Sequence, residues 1–163
     1  PHTLTGHMTL YKAVLHSTEN TLPKWYLELI GVYVSQLNNC DYCVQHHSSG
    51  LKRLLNDDAK YDACIRALNP AYFANDSELT ASEKKGLLHA KKLTLAHHTI
   101  QNEDIDELRA SGFTDGEILE INQVASYFNY VNRMVVGLGV DTVGDIIGLS
   151  PNESADPDNW NHQ

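Results

Sequence analysis

Asn39-Cys40-Asp41-Tyr42-Cys43-Val44-Gln45-His46-His47 stands where one apolar helical pattern hands over to the next. Two of the chain's three cysteines lie here, three residues apart, with two histidines directly after them. Residues three and four apart on a helix share a face, so Cys40, Cys43 and His47 form one stripe. Asn39 suits a helix N-cap, which places Cys40 in the first turn, where backbone N–H groups and the helix dipole favour a thiolate. His47, one turn beyond Cys43, is spaced to take its proton or steady its anion. The spacing predicts a redox site whose two sulfurs can close as a disulfide.

The run from Trp25 to Cys40 carries a single charge, Glu28. Leu27, Ile30, Val34 and Leu37 mark it as a buried helix, opened by Thr21-Leu22-Pro23, and Gly31 inside it implies close packing. If Asn38-Asn39 reverses the chain into an αα-hairpin, positions equally distant from the turn come face to face. Glu28 then meets the region from His47 to Ser49. Burial raises a carboxylate's pKa and lets it pass protons near neutral pH. The expectation is a relay of Glu28, His47 and Cys43, with Cys40 as the disulfide partner. The same thiol spacing is also half of a zinc site, to which His46 or His47 adds a further ligand type. For the remaining ligands, which usual zinc motifs bring from a second cluster, only His89, His97, His98 or Cys64 could serve, none in a recognised spacing.

Glu28, then Cys40-x-x-Cys43-x-x-x-His47 with Leu51, resembles the signature of the alkylhydroperoxidase D-like branch of the carboxymuconolactone decarboxylase family. Ser35-Gln36-Leu37-Asn38, Cys40-x-Tyr42-Cys43-x-x-His46-His47 and the later Phe128-Asn129-x-x-Asn132-Arg133 resemble its peroxidase-related members more closely. The resemblance spans most of the chain. It implies an all-helical fold, a trimer or hexamer, and an enzyme that reduces hydroperoxides through a disulfide. It also implies that Cys43 attacks the peroxide, that Cys40 resolves it, and that Glu28 and His47 relay protons. No bound cofactor is implied. The reductant would be an external dithiol on a lipoyl-bearing or thioredoxin-like donor protein.

The rest of the chain agrees with an all-α fold. At 163 residues it suits one domain, expected over residues 1–150, with a polar tail over 151–163 that has only Trp160 to anchor it. Leu10, Val14 and Leu15 predict a first helix, and Leu51, Leu54 and Leu55 continue the core stripe of the site helix. Asn56-Asp57-Asp58 caps a helix that ends near Asn69-Pro70. Thr80-Ala81-Ser82-Glu83 opens a helix with Leu87, Leu88, Lys91 and Leu95, ending near His97-His98. Asn102 to Arg109 is short, and Thr114-Asp115-Gly116-Glu117 begins a long helix through Ile121, Val124 and Phe128 toward Gly137. A last apolar stretch runs from Val140 to Leu149. No segment alternates with the period of a strand.

A net charge of −9 argues against nucleic acid or an anionic membrane as partner. Two cysteines in a C-x-x-C, rather than a disulfide scaffold, point to the cytoplasm. Tyr42 and His46 are candidates for a pocket wall, or for ordinary packing outside the helix. Cys64 reads as a core residue, and His89, His97 and His98 as surface or interface residues. Asn129, Asn132 and Arg133 read as satisfying helix ends or tying subunits together. Gly137-Leu138-Gly139 is no nucleotide loop, because no strand precedes it. A lactone decarboxylase of the same superfamily would have no use for the cysteine pair. A disulfide reductase or redox sensor would use the same residues, and a zinc-stabilised helical module would use the thiols as ligands.

Overall fold

The computed structural model describes residues 2–74 and 77–148, and the tail expected over 151–163 lies outside them. Its helices are α1 (His2–His16), α2 (Lys24–Leu37), α3 (Asp41–Leu55), α4 (Asp58–Ala67), α5 (Pro70–Phe73), α6 (Ala81–Ala96), α7 (Asn102–Ala110) and α8 (Asp115–Gly137). A 3-10 turn over His97–Thr99 links α6 to α7, and there is no strand among the described residues.

The middle of the bundle is α2. Every residue from Tyr26 to Ser35 is buried, so the apolar face read at Leu27, Ile30 and Val34 extends around the whole helix. It packs against α3, α6 and α8, with α1 alongside. A helix enclosed on all sides must be apolar all round, which explains why the run holds one charge. Pro23 is its N-cap without a side-chain cap, and the Tyr26 amide closes onto the Pro23 carbonyl at 2.8 Å. Glu120 of α8 ties down the chain just before the helix, accepting from the Thr21 and Leu22 amides at 2.8 and 2.9 Å.

Where α2 crosses α8, glycine sets the distance. A Cβ on Gly31 would overlap the ring of Phe128. Both predicted threonine-to-glutamate boxes form: Thr80 with Glu83 starts α6, and Thr114 with Glu117 starts α8. Each fills two otherwise orphaned amides.

Several helix faces are turned from the expected ones. Leu10, Leu54, Leu88 and Leu95 are exposed and Tyr11, Gly86 and Ala90 are buried, while Leu87 is buried as expected. His89 is buried rather than at the surface, with Nε2 3.5 Å from Asn122 Oδ1. The helix α4 stops at Ala67, before Asn69-Pro70, which opens the single turn of α5. Beyond α8 the apolar stretch from Val140 runs as turns across the outer face of α3. Val143 and Ile146 point to solvent, Arg53 donates to the Gly148 carbonyl, and Asp145 lies 3.4 Å from His46 Nε2.

Candidate active site

The hairpin between α2 and α3 is tight, and its geometry corrects one expectation. Asn39 adopts a left-handed conformation, φ 53°, which asparagine tolerates better than most residues. Cys40 is itself the N-cap of α3 and sits on the turn, not within the first helical turn. Only three residues separate the helices, so one of them must reverse the chain, and that task falls to Asn39. The Cys40 amide donates to Ser35 O at 2.9 Å, and its carbonyl accepts from Val44 at 2.9 Å.

Cys43 lies inside α3. Both cysteines are reduced thiols, hydrogen-bonded to one another, and only 1% and 4% exposed. Burial first, then the hydrogen bond and charge of Cys40, push the Cys43 thiol up to about 12. A thiol in that state needs a base before it can act as a nucleophile.

The hairpin brings Glu28 to His47, as the residue count across the turn anticipates. Glu28 Oε2 is 2.8 Å from His47 Nδ1, and Glu28 is 2% exposed. A carboxylate on Nδ1 takes the proton there and leaves Nε2 as the basic nitrogen. The His47 ring is held edge-on by Phe128 at 4.6 Å and by Tyr11 at 6.3 Å. Tyr11 also meets His16 at 5.0 Å. Burial pushes the His16 pKa down, against the pull of Glu28, and its Nε2 is enclosed without a hydrogen-bond partner. Tyr127 of α8 faces the same region: its hydroxyl is held protonated by burial and then by the charges of Cys43, Tyr130 and Glu28.

Tyr42 and His46 lie 4.5 Å apart with their rings tilted by 35°, and His46 meets Asp145 and the Gly148 amide of the 140–148 segment. Burial and then Asp145, which hydrogen-bonds the Tyr42 hydroxyl, raise that residue's pKa. Cys64 is buried in the core, while His97 and His98 are exposed. Among the described residues no three His, Cys, Asp or Glu side chains gather as a metal ion would require. No helix among them is long and apolar enough to cross a membrane.

The sequence reading missed the α8 side of the site. Asn132, assigned there to helix ends or subunit contacts, is 1% exposed and hydrogen-bonds the Cys43 side chain. Its Nδ2 donates to Ser35 Oγ at 3.0 Å, and its Oδ1 accepts from Asn38 Nδ2 at 3.0 Å. The available signal was a pair of asparagines at helical spacing on an otherwise apolar face.

The chain is similar in sequence and fold to known proteins. The model of the carboxymuconolactone decarboxylase family matches residues 1–81. The uncharacterized protein YdfG of Bacillus subtilis (strain 168) is 26% identical over 129 residues, 76% of this chain and 80% of that protein. An uncharacterized peroxidase-related protein from Silicibacter sp. TM1040 superposes with a TM-score of 0.74 at 27% identity, covering 86% of this chain and 70% of that one. The alkylhydroperoxidase AhpD core of an uncharacterized peroxidase-related protein from Ralstonia eutropha JMP134 gives 0.75 at 26% identity, with the same coverage. With its all-helical fold and these neighbours, the chain is similar to the carboxymuconolactone decarboxylase family, whose model its first 81 residues match.

Proposed function

We propose that the protein is a thiol-dependent peroxidase that reduces hydroperoxides. The observation that carries this reading is the Glu28–His47 pair at 2.8 Å, held in the same enclosed site as two reduced cysteines three residues apart. His47, oriented by Glu28, takes the Cys43 proton. The Cys43 sulfur then attacks the terminal peroxide oxygen; an S–O bond forms, the O–O bond breaks, and the departing alkoxide takes the proton back from His47 as an alcohol. Cys43 is left as a sulfenic acid. The Cys40 thiol condenses with it, an S–S bond forms, and hydroxide leaves as water with the thiol proton. An external dithiol then reduces the disulfide by exchange and becomes a disulfide itself.

Thiols 1% and 4% exposed favour a reductant carried on a slender arm, such as a lipoyl group, over the broad face of a folded thioredoxin-like donor. The chain would act in the cytoplasm as a trimer or hexamer, and exposed apolar residues such as Leu138, Val143 and Ile146 leave surface for such contacts. The test is a thiol count on metal-analysed protein, before and after one equivalent of cumene hydroperoxide. Two thiols should vanish together and return with dithiothreitol. Unchanged thiols with stoichiometric zinc would overturn the reading.

A further inference from the structure

A chain of polar side chains runs between α2 and α8, exposed at Arg133, half-buried at Asn129 and Asn38 and buried at Asn132 and Ser35, and it has a direction. It begins at Arg133, whose guanidinium can only donate. Arg133 Nη1 donates to Asn129 Oδ1 at 2.9 Å, and Asn129 Nδ2 donates to the Ala125 carbonyl at 2.9 Å, an oxygen that can only accept. The Asn129 amide therefore has one permissible orientation, with Oδ1 facing α2. Asn38 must answer with its NH₂ group, and its two hydrogens go to Asn129 Oδ1 at 3.1 Å and Asn132 Oδ1 at 3.0 Å.

Asn132 is thereby oriented in its turn. With Oδ1 held by Asn38, its Nδ2 points the other way. One hydrogen goes to Ser35 Oγ at 3.0 Å, and the other is left for the Cys43 sulfur, to which Asn132 is hydrogen-bonded. A buried amide costs stability unless every group is satisfied. At Asn132, the buried amide of the chain, the oxygen and both hydrogens are used, and the chain ends as a fixed N–H donor on a thiol.

We infer that Asn132 is a catalytic residue: its locked side-chain amide stabilises the negative charge of the Cys43 sulfur once the proton has left. Asn38 and Asn129 are positioning residues that hold the amide the right way round. This rests on the reading of Cys43 as the attacking thiol, but thiolate formation can be observed without any peroxide. A fixed dipole aimed at developing charge inside an enclosed site acts more strongly than in water. Of the influences on Cys43, burial raises its pKa and the Asn132 hydrogen bond lowers it.

The test is the pH profile of Cys43 alkylation by iodoacetamide, followed by mass spectrometry in a Cys40→Ser background. The titratable side chains around the sulfur, Tyr42 and His47 on α3, Glu28 on α2, Tyr127 on α8, and Tyr11 and His16 on α1, stay in place throughout. Asn132→Leu should move the midpoint upward by about one pH unit, an approximately tenfold fall in labelling near neutrality. Asn132→Asp, nearly isosteric and still able to accept from Asn38, should move it further because a carboxylate repels the thiolate. A purely structural role would leave the midpoint where it is. In protein unchanged at Asn132, its side-chain NH₂ resonance should titrate with the Cys43 midpoint. A flat resonance, or an unmoved midpoint in either folded variant, overturns the inference. If the thiolate shift is found but peroxide is not consumed, Asn132 keeps its role and the peroxidase reading fails alone.

Discussion

Glu28 Oε2 and His47 Nδ1 meet at 2.8 Å across the α2–α3 hairpin, with the side chains 3% and 16% exposed. Glu28→Gln keeps the volume and removes the proton acceptor. The first turnover with hydroperoxide should slow by about 10²-fold or more, the usual contribution of a positioned acid–base group. Rapid-quench thiol counts measure it, with far-UV circular dichroism unchanged.

The cysteines should separate cleanly. Cys43→Ser abolishes peroxide consumption. Cys40→Ser allows one turnover and then stalls as a sulfenic acid, trapped with dimedone and seen by mass. The reverse pattern would exchange the two assignments.

Gly31→Ala tests the α2–α8 crossing, because helix propensity and packing predict opposite signs there. Propensity alone favours alanine by about 1 kcal/mol. The new Cβ, however, must displace the Phe128 ring, which is edge-on to His47 at 4.6 Å. Overpacking of this kind costs about 1–3 kcal/mol. Urea unfolding should show a net loss, and peroxide turnover should fall with it. A gain in stability at full activity would refute the tight crossing.

Stability should decline on mild acidification. Burial is the leading cause that lowers the pKa of His16 and of His89 below the ordinary 6.5. The unfolded chain thus binds protons that the folded one refuses, so stability rises with pH through the window below about 6.5 and is lost as pH falls through it. Thermal unfolding at pH 7.5 and 5.5 measures the loss. His89→Asn should flatten the difference; an equally steep loss in the variant would remove His89 as its source.

Much of this was legible in the chain. A lone glutamate in an apolar run, a two-asparagine turn and a cysteine–histidine stripe suffice to bring Glu28 to His47, because a helical hairpin fixes which positions face each other. The two capping boxes were legible for the same local reason. What escaped reading depends on tertiary partners. Asn132 looks like any polar residue on a long helix until α2 is laid beside it. His89 is buried because α6 rotates to bring Gly86 against Tyr26, a choice set by shape rather than by leucine spacing. Asn39 fits a cap by sequence yet makes the turn, because asparagine serves both as a cap and as a left-handed turn residue.

Cys40 belongs to the turn and Cys43 to the helix, so the two sulfurs differ in freedom. Cys43 is gripped by the repeating bonds of α3, whereas Cys40 is clasped by its bonds to Ser35 and Val44 at the mouth of the hairpin. In the proposed disulfide the adjustment would fall on the turn, with one sulfur acting as anchor and the other as latch. The amides of Cys40 and Val44 would then be the place where oxidation of the pair is written into the backbone.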